Sequence, residues 1–363
     1  MYGFLKVATA VPKVKVADCE YNAEQIITCV ERAASKGVSL LVFPELSVTS
    51  YTCADLFNQP YFLSAAENSL SSIIASTMNF DVMFVVGMPV AVDGRLFNCA
   101  VAINRGKILC VVPKTYLPNY GEFYEARWFT SASVLGENVE IEFCGQKVSL
   151  GTKNIICCGD VKIGIEICED LWVPIPPSSY SAVNGANVIV TLSASNDMVG
   201  KHEYLTSLVS QQSARTVSAY IYASCGYGES STDLVFGGSS YIAENGSIIA
   251  QGERFDMNGT MTIADVDIEK LNSQRLHQKT FYLESGAESY NCISTVLRSD
   301  SDKFEVCRRF NPFPFIPNDD RSMAERCNEI FSIQINGFAQ RYTAAYSKCA
   351  VIGISGGLDS TLA

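Results

Sequence analysis

Short apolar, β-rich runs alternate with amphipathic stretches along residues 1–268, and several of the runs pair off as hairpins. "FLKVATAV" (4–11) reads as a strand. Residues 22–37 read as a helix with Ile26, Ile27, Val30, Ala33 and Ala34 on one face and Gly37 as its stop. A strand over 39–46, a helix near 61–78 and a strand over 81–90 follow. Hairpins are expected over 96–114, turning at 104–106, over 154–168, turning at 159–160, and over 238–252. Strands at 187–195 and 219–227 flank a helix near 202–216, and a strand over 260–268 closes the series. Strands that alternate with helices and hairpins build mixed sheets covered by helices. Residues 1–270 therefore predict a layered α/β domain. Residues 271–320 read as a linker, ending in the proline-rich "NPFPFIPNDD". A helix over 321–347, a strand over 349–355 and a glycine-serine turn come last. A second α/β domain is expected to start at 321 and to break off after one helix and one strand, so the chain reads as a piece of a longer protein.

Composition narrows the partners. The net charge is -11, and such a chain repels phosphate backbones and anionic lipid, so neither nucleic acid nor a membrane surface is expected. No uncharged apolar run reaches the ~18 residues of a membrane helix. The opening "MYGFLKVATAVPKVKVADCE" lacks the basic, apolar and small-residue regions of a signal peptide. The 14 cysteines are scattered, with no C-x-x-C pair and no Cys/His cluster, so no metal is expected and a reducing cytoplasm is. There are 2 histidines, His202 and His277.

Three stretches carry chemistry. In "FPELSVTSY" (43–51), Glu45 ends an apolar run, where a carboxylate caps a local N–H or is functional. In "VVPKTYLPNYGEFYEARWF" (111–129), Lys114 leaves the second strand of a hairpin; alone it reads as a solvated lysine. In "GIEICEDLWVP" (164–174), Cys168 is either an inert core thiol or a sulfur presented at a strand-to-helix turn. Together they suggest a site. A cysteine nucleophile needs a base, usually histidine, and neither histidine lies in a strand-end motif. A buried glutamate fills that role. A lysine stabilises the thiolate and the oxyanion that forms when sulfur attacks a carbonyl, and the Glu169 N–H is a second donor. Glu45, Lys114 and Cys168 thus point to covalent amide hydrolysis.

"FPEL", "PKTYLPNYGEFYEARWF" and "GIEICEDLW", in this order and at these intervals, resemble the nitrilase-type carbon–nitrogen hydrolases. The resemblance covers residues 1–268. It implies an α-β-β-α sandwich in which Glu45 is the general base, Lys114 holds the transition state and Cys168 carries the acyl group. "SGGLDS" (355–360), with "AVIGIS" before it and "STLA" after it, resembles the pyrophosphate loop of enzymes that split ATP into AMP and pyrophosphate. Glycines, serine hydroxyls and a helix start suit phosphate oxygens, and no Gly-Lys-Ser/Thr makes this a Walker loop.

A nitrilase domain followed by such a loop is the arrangement of the glutamine-dependent NAD synthetases. That likeness implies a glutaminase domain (1–270), a linker (271–320) and the truncated start of an α/β ATP-pyrophosphatase domain (321–363). It implies L-glutamine as substrate, held by Tyr120, Glu169, Ser195 and Lys201. It implies nucleotide contacts by Gly353, Ile354, Ser355, Gly356, Gly357, Leu358, Asp359 and Ser360. ATP, magnesium and deamido-NAD belong to the intact enzyme, the glutaminase half needs no cofactor, and a homo-oligomer is expected. A free-standing amidase and a catalytically silent fragment stay open. So do a packing tyrosine and solvated Glu and Lys for the glutamine contacts.

Overall fold

Residues 3–282, 289–298, 305–316 and 320–363 are described in the computed structural model. Two sheets carry the first part of the chain. One has eight strands in the order Thr260–Asp267, Phe4–Val11, Leu40–Val42, Met83–Val92, Arg95–Asn104, Lys107–Pro113, Gln146–Leu150 and Val139–Phe143. The other has seven, in the order Ser247–Gln251, Ser240–Glu244, Ala219–Ser224, Val188–Ser193, Val161–Ile167, Asn154–Cys158 and Asn291–Ser294.

The alternation of side chains along each strand explains the layering. Leu5, Val7, Leu40, Val42, Met83 and Val85 face the second sheet and meet Ile163, Ile165, Val188 and Val190 there. Their neighbours Ala8, Leu41, Phe43, Phe84 and Val86 face the opposite way, against Ile26, Val30, Leu70 and Ile73 of the helices Cys19–Ser35 and Pro60–Thr77. On the far side of the second sheet, Ile189, Tyr220 and Tyr222 pack on Leu205 and Val209 of Lys201–Arg215. Strands covered on both faces are largely apolar on both, with buried polar exceptions such as Lys6, Thr9 and Glu166. Three apolar layers therefore separate four structural ones, α-β-β-α.

The three expected hairpins form, the first two at the turns expected for them. Arg105 and Gly106 take φ +48° and +77°, the left-handed pair of a tight two-residue hairpin turn. The chain also holds elements the sequence reading lacks: the hairpin Val139–Phe143/Gln146–Leu150, the helix Ile268–His277 and the strand Asn291–Ser294. The last two fall in the stretch read as linker. Asn291–Ser294 pairs in parallel with Asn154–Cys158, and Cys292 is disulfide-bonded to Cys157.

The chain divides into two compact units, Met1–Cys307 and Arg308–Ala363. The second contains the helices Asp320–Ala344 and Leu358–Leu362. The strand expected over 349–355 is absent: those residues are exposed and irregular. A strand needs a partner for its N–H and C=O groups, and the described residues of this unit hold no other strand. No helix among the described residues is long and apolar enough to cross a membrane.

Candidate active site

Phe43, Pro44 and Glu45 continue from Leu40–Val42 towards the second sheet. The Glu45 N–H donates to the Ser193 carbonyl there at 3.2 Å, and Leu46 turns with φ +50°. Gly87 makes room for this turn. A Cβ at Gly87 would stand 2.2 Å from the Leu46 nitrogen and 2.8 Å from the Glu45 carbonyl carbon, so only glycine lets the strand pass.

Lys114 follows directly on Lys107–Pro113. Its N–H donates to the Asn98 carbonyl at 2.8 Å, and the Asn98 side-chain amide donates to Glu45 Oε1 at 2.6 Å. Lys114 Nζ donates to Glu45 Oε1 and to Glu125 Oε1, each at 2.7 Å. Glu125 also accepts from the Tyr51 hydroxyl at 2.8 Å. Glu45, Lys114 and Glu125 are 0%, 0% and 1% exposed. Burying an isolated charge costs several kcal/mol. One cation between two carboxyl groups, with Asn98 and Tyr51 as further donors, offsets that cost. Burial works against the Lys114 ammonium, but Glu125, Glu45 and Cys168 outweigh it and raise its pKa well above the usual lysine range.

The sequence alone does not mark Glu125; its loop offers several acids and no periodicity to mark the buried one. Burial pushes its pKa up to about 7, against the pull of Lys114 and with a further push from Glu45. Its unfolded counterpart titrates near ~4.3. Between those values the native chain binds more protons, so this carboxyl makes stability fall as pH rises from about 4.3 to about 7. Glu125→Gln should flatten the fall over that window, as read from urea midpoints of the two chains across pH.

Cys168 ends Val161–Ile167 and opens the short helical turn Cys168–Leu171 with φ +46°, a left-handed conformation that turns it out of the strand. It is 6% exposed. Burial first, then Glu45, raises the thiol pKa beyond the usual cysteine range despite Lys114, so the resting group is the thiol. Asp170 ties this turn to the loop after Lys114. Its carboxylate accepts from the Ile167 N–H at 3.0 Å, the Thr115 N–H at 3.1 Å and the Tyr116 N–H at 2.9 Å. Three buried oxygens of the site have no hydrogen-bond partner: Glu45 Oε2, Asn98 Oδ1 and Glu125 Oε2.

Cys168 opens onto a cavity of about 370 Å³. Tyr120, Glu169, Ser195 and Lys201, the four expected substrate contacts, all line it, together with Glu122 and Asn196. Tyr120 Oη donates to the Glu169 carboxylate, 3.0 Å from each oxygen. The Ser195 N–H donates to Ser224 Oγ at 3.1 Å. Lys201 Nζ stands over the Trp172 ring, 5.2 Å from its centre, and burial lowers its pKa. Glu45 and Lys114 act electrostatically on the Cys168 thiol but do not line the cavity.

The residues expected to meet a nucleotide, Gly353 to Ser360, belong to the second unit and are exposed or nearly so. Gly356 has φ +82°. The loop closes on itself: Ser360 Oγ accepts from the Ser355 N–H at 3.2 Å, and Ser355 Oγ accepts from the Gly357 N–H at 3.4 Å.

The carbon–nitrogen hydrolase family model matches residues 6–276. The glutamine-dependent NAD(+) synthetase of Mycobacterium tuberculosis is 37% identical over 99% of this chain and 54% of its own length. The chain thus spans about half the length of the curated relatives it matches. The crystal structure of a glutamine-dependent NAD(+) synthetase from Cytophaga hutchinsonii superposes with a TM-score of 0.66 at 28% identity, over 72% of this chain and 43% of that one. A carbon–nitrogen hydrolase from Helicobacter pylori shares the fold at 18% identity with a TM-score of 0.61, over 76% of this chain and 94% of that one. Its α-β-β-α layers are those of the nitrilase-like fold, and the chain belongs to the carbon–nitrogen hydrolase family.

Proposed function

We propose that this chain is the glutaminase part of a glutamine-dependent NAD synthetase and that Cys168, Glu45 and Lys114 hydrolyse L-glutamine to glutamate and ammonia. The observation that carries the reading is the cavity itself: a buried thiol backed by a carboxylate and an ammonium opens onto walls that hold Glu169, Glu122 and Lys201. A zwitterionic head matches such walls. A simple apolar amide does not use them.

Cys168 attacks the side-chain amide carbon of glutamine while Glu45 takes the thiol proton; Oε2 is the oxygen left to receive it. The oxyanion that forms is met by Lys114 and by the Glu169 N–H. Glu45 returns the proton to the departing nitrogen, ammonia leaves and a thioester remains. Water gives its proton to Glu45 and attacks the thioester, which releases glutamate and restores the thiol. One glutamine and one water become one glutamate and one ammonia. Glu125, with a pKa near neutrality at about 7, shares Lys114 and can hold a proton beside the reaction.

ATP, magnesium and deamido-NAD serve the second reaction of the longer protein, in which ammonia is transferred. The 353–360 turn is glycine-rich and precedes a helix, as a pyrophosphate site requires. Here the Ser355 and Gly357 amides are spent on serine hydroxyls, and no step of the glutaminase needs that turn. Twelve of the 14 cysteines are free, which suits a reducing cytoplasm, while the Cys157–Cys292 disulfide does not. A homo-oligomer is part of the same reading.

The test is ammonia release from L-glutamine and from butyramide by the 363-residue chain, with Cys168→Ala as the blank. We expect release from glutamine that the blank lacks and little from butyramide. Equal or faster release from butyramide would replace the glutaminase with a general amidase.

A further inference from the structure

Asn196 stands between the opposite charges of the cavity wall. Lys201 Nζ donates to its Oδ1 at 2.5 Å, and its Nδ2 donates to Glu122 Oε1. The orientation of the amide is fixed by its partners: an ammonium offers only donors and a carboxylate only acceptors. Asn196 is 6% exposed and sits three residues past the end of Val188–Ser193. It is therefore held by the sheet and by both charged neighbours.

Glu122, Lys201 and Cys168 line one cavity. A carboxylate and an ammonium that share a wall attract one another, and a direct pair would cancel both charges. The neutral amide prevents that. It occupies one of the three donors of Lys201 and one site on Glu122, and leaves the rest of each group available. The wall then presents a cation and an anion as separate docking points.

We propose that Asn196 is a positioning residue that sets specificity, holding Lys201 and Glu122 apart so that they receive the α-carboxylate and the α-ammonium of an amino-acid amide. The inference rests on the glutamine reading above and adds Glu122 and Asn196 to it. Asn196→Asp places a carboxylate against Glu122 and pairs it with Lys201, which removes the cation from the wall. Asn196→Ala lets Lys201 and Glu122 close on each other. Either change weakens recognition of the head and leaves the sulfur untouched.

The experiment measures L-glutamine binding by calorimetry to the Cys168→Ala chain, alone and with each Asn196 substitution. In chains that keep Cys168, the rate of its alkylation by iodoacetamide, a small amide with no amino-acid head, is followed by peptide mass spectrometry. We expect glutamine affinity to fall at least about tenfold, the scale of one lost charged hydrogen bond, with alkylation unchanged within about twofold. Affinity that survives both substitutions overturns the inference alone. A parallel fall in alkylation also overturns it, because the change would then be a general disturbance of the site. No binding of L-glutamine by Cys168→Ala itself overturns the glutamine reading and this inference with it. If the Asn196 variants do not fold, Lys201→Met and Glu122→Gln replace them. Independent docking points predict losses that multiply in the double variant, and a double loss equal to either single one sinks the idea.

Discussion

Lys114→Met should cost about 3–5 kcal/mol of stability at neutral pH, the scale of removing one partner from a buried ion pair. Methionine fills a similar volume but leaves Glu45 and Glu125 facing each other with no cation. Both are sealed from water, and Lys114 Nζ is the donor they share. The loss should depend on pH. Glu125 already holds its proton to about 7 and would hold it to still higher pH without Lys114. The variant's native state then binds more protons than its unfolded state above about pH 4.3, so its stability falls as pH rises. Through Glu125 the two chains lose stability in parallel up to about pH 7, so the gap between them widens above neutrality. Urea midpoints at two pH values measure it. Coincident midpoints at pH 7 would mean that Lys114 is not the counter-charge its geometry makes it.

Glu45→Gln should instead spare the fold and remove the reaction. The glutamine carbonyl can occupy the Oε1 position and accept from Asn98 and Lys114 as the carboxylate does. Its amide nitrogen takes the place of Oε2, the oxygen without a partner, and a neutral amide cannot accept the thiol proton. General-base catalysis contributes about 10²–10⁴ in rate, so kcat for ammonia release should fall by at least about a hundredfold while KM moves little. A variant within a few fold of the parent would assign the base elsewhere, with Glu125 the first candidate because it touches the same ammonium.

The contrast between these residues says what a sequence can reveal. Glu45, Lys114 and Cys168 stand out because each interrupts an apolar strand at its end, where a charge or thiol has no bland company. Glu125 is as buried as Glu45 and shares its lysine, yet it lies in an aromatic loop with other acids, and only the folded chain decides which acid turns inward. Asn196 is illegible for a similar reason: its neighbours Ser195 and Lys201 fall in a recognisable motif, but an amide between two charges is a property of distance, not of order. The fold divides in the same way. Hairpins announce themselves through local turns, as at Arg105–Gly106. Asn291–Ser294 is a strand only because Asn154–Cys158 offers an edge 137 residues earlier. The run at 349–355 shows the converse, since a strand-like composition makes no strand without a partner.

The Ser193 carbonyl accepts two amides, that of Glu45 from the first sheet at 3.2 Å and that of Cys225 from its own sheet at 3.0 Å. Glu45, the proposed base, is thus a stitch in the seam between the sheets. A local breath of the surface cannot free it; the Glu45 amide exchanges its hydrogen with solvent only when the two sheets part. An amide held between two sheets belongs with the slowest-opening part of a fold, whereas exposed loops open more easily. On the proposed reading, the proton is therefore held at the seam between the sheets, apart from the surface loops that would admit glutamine.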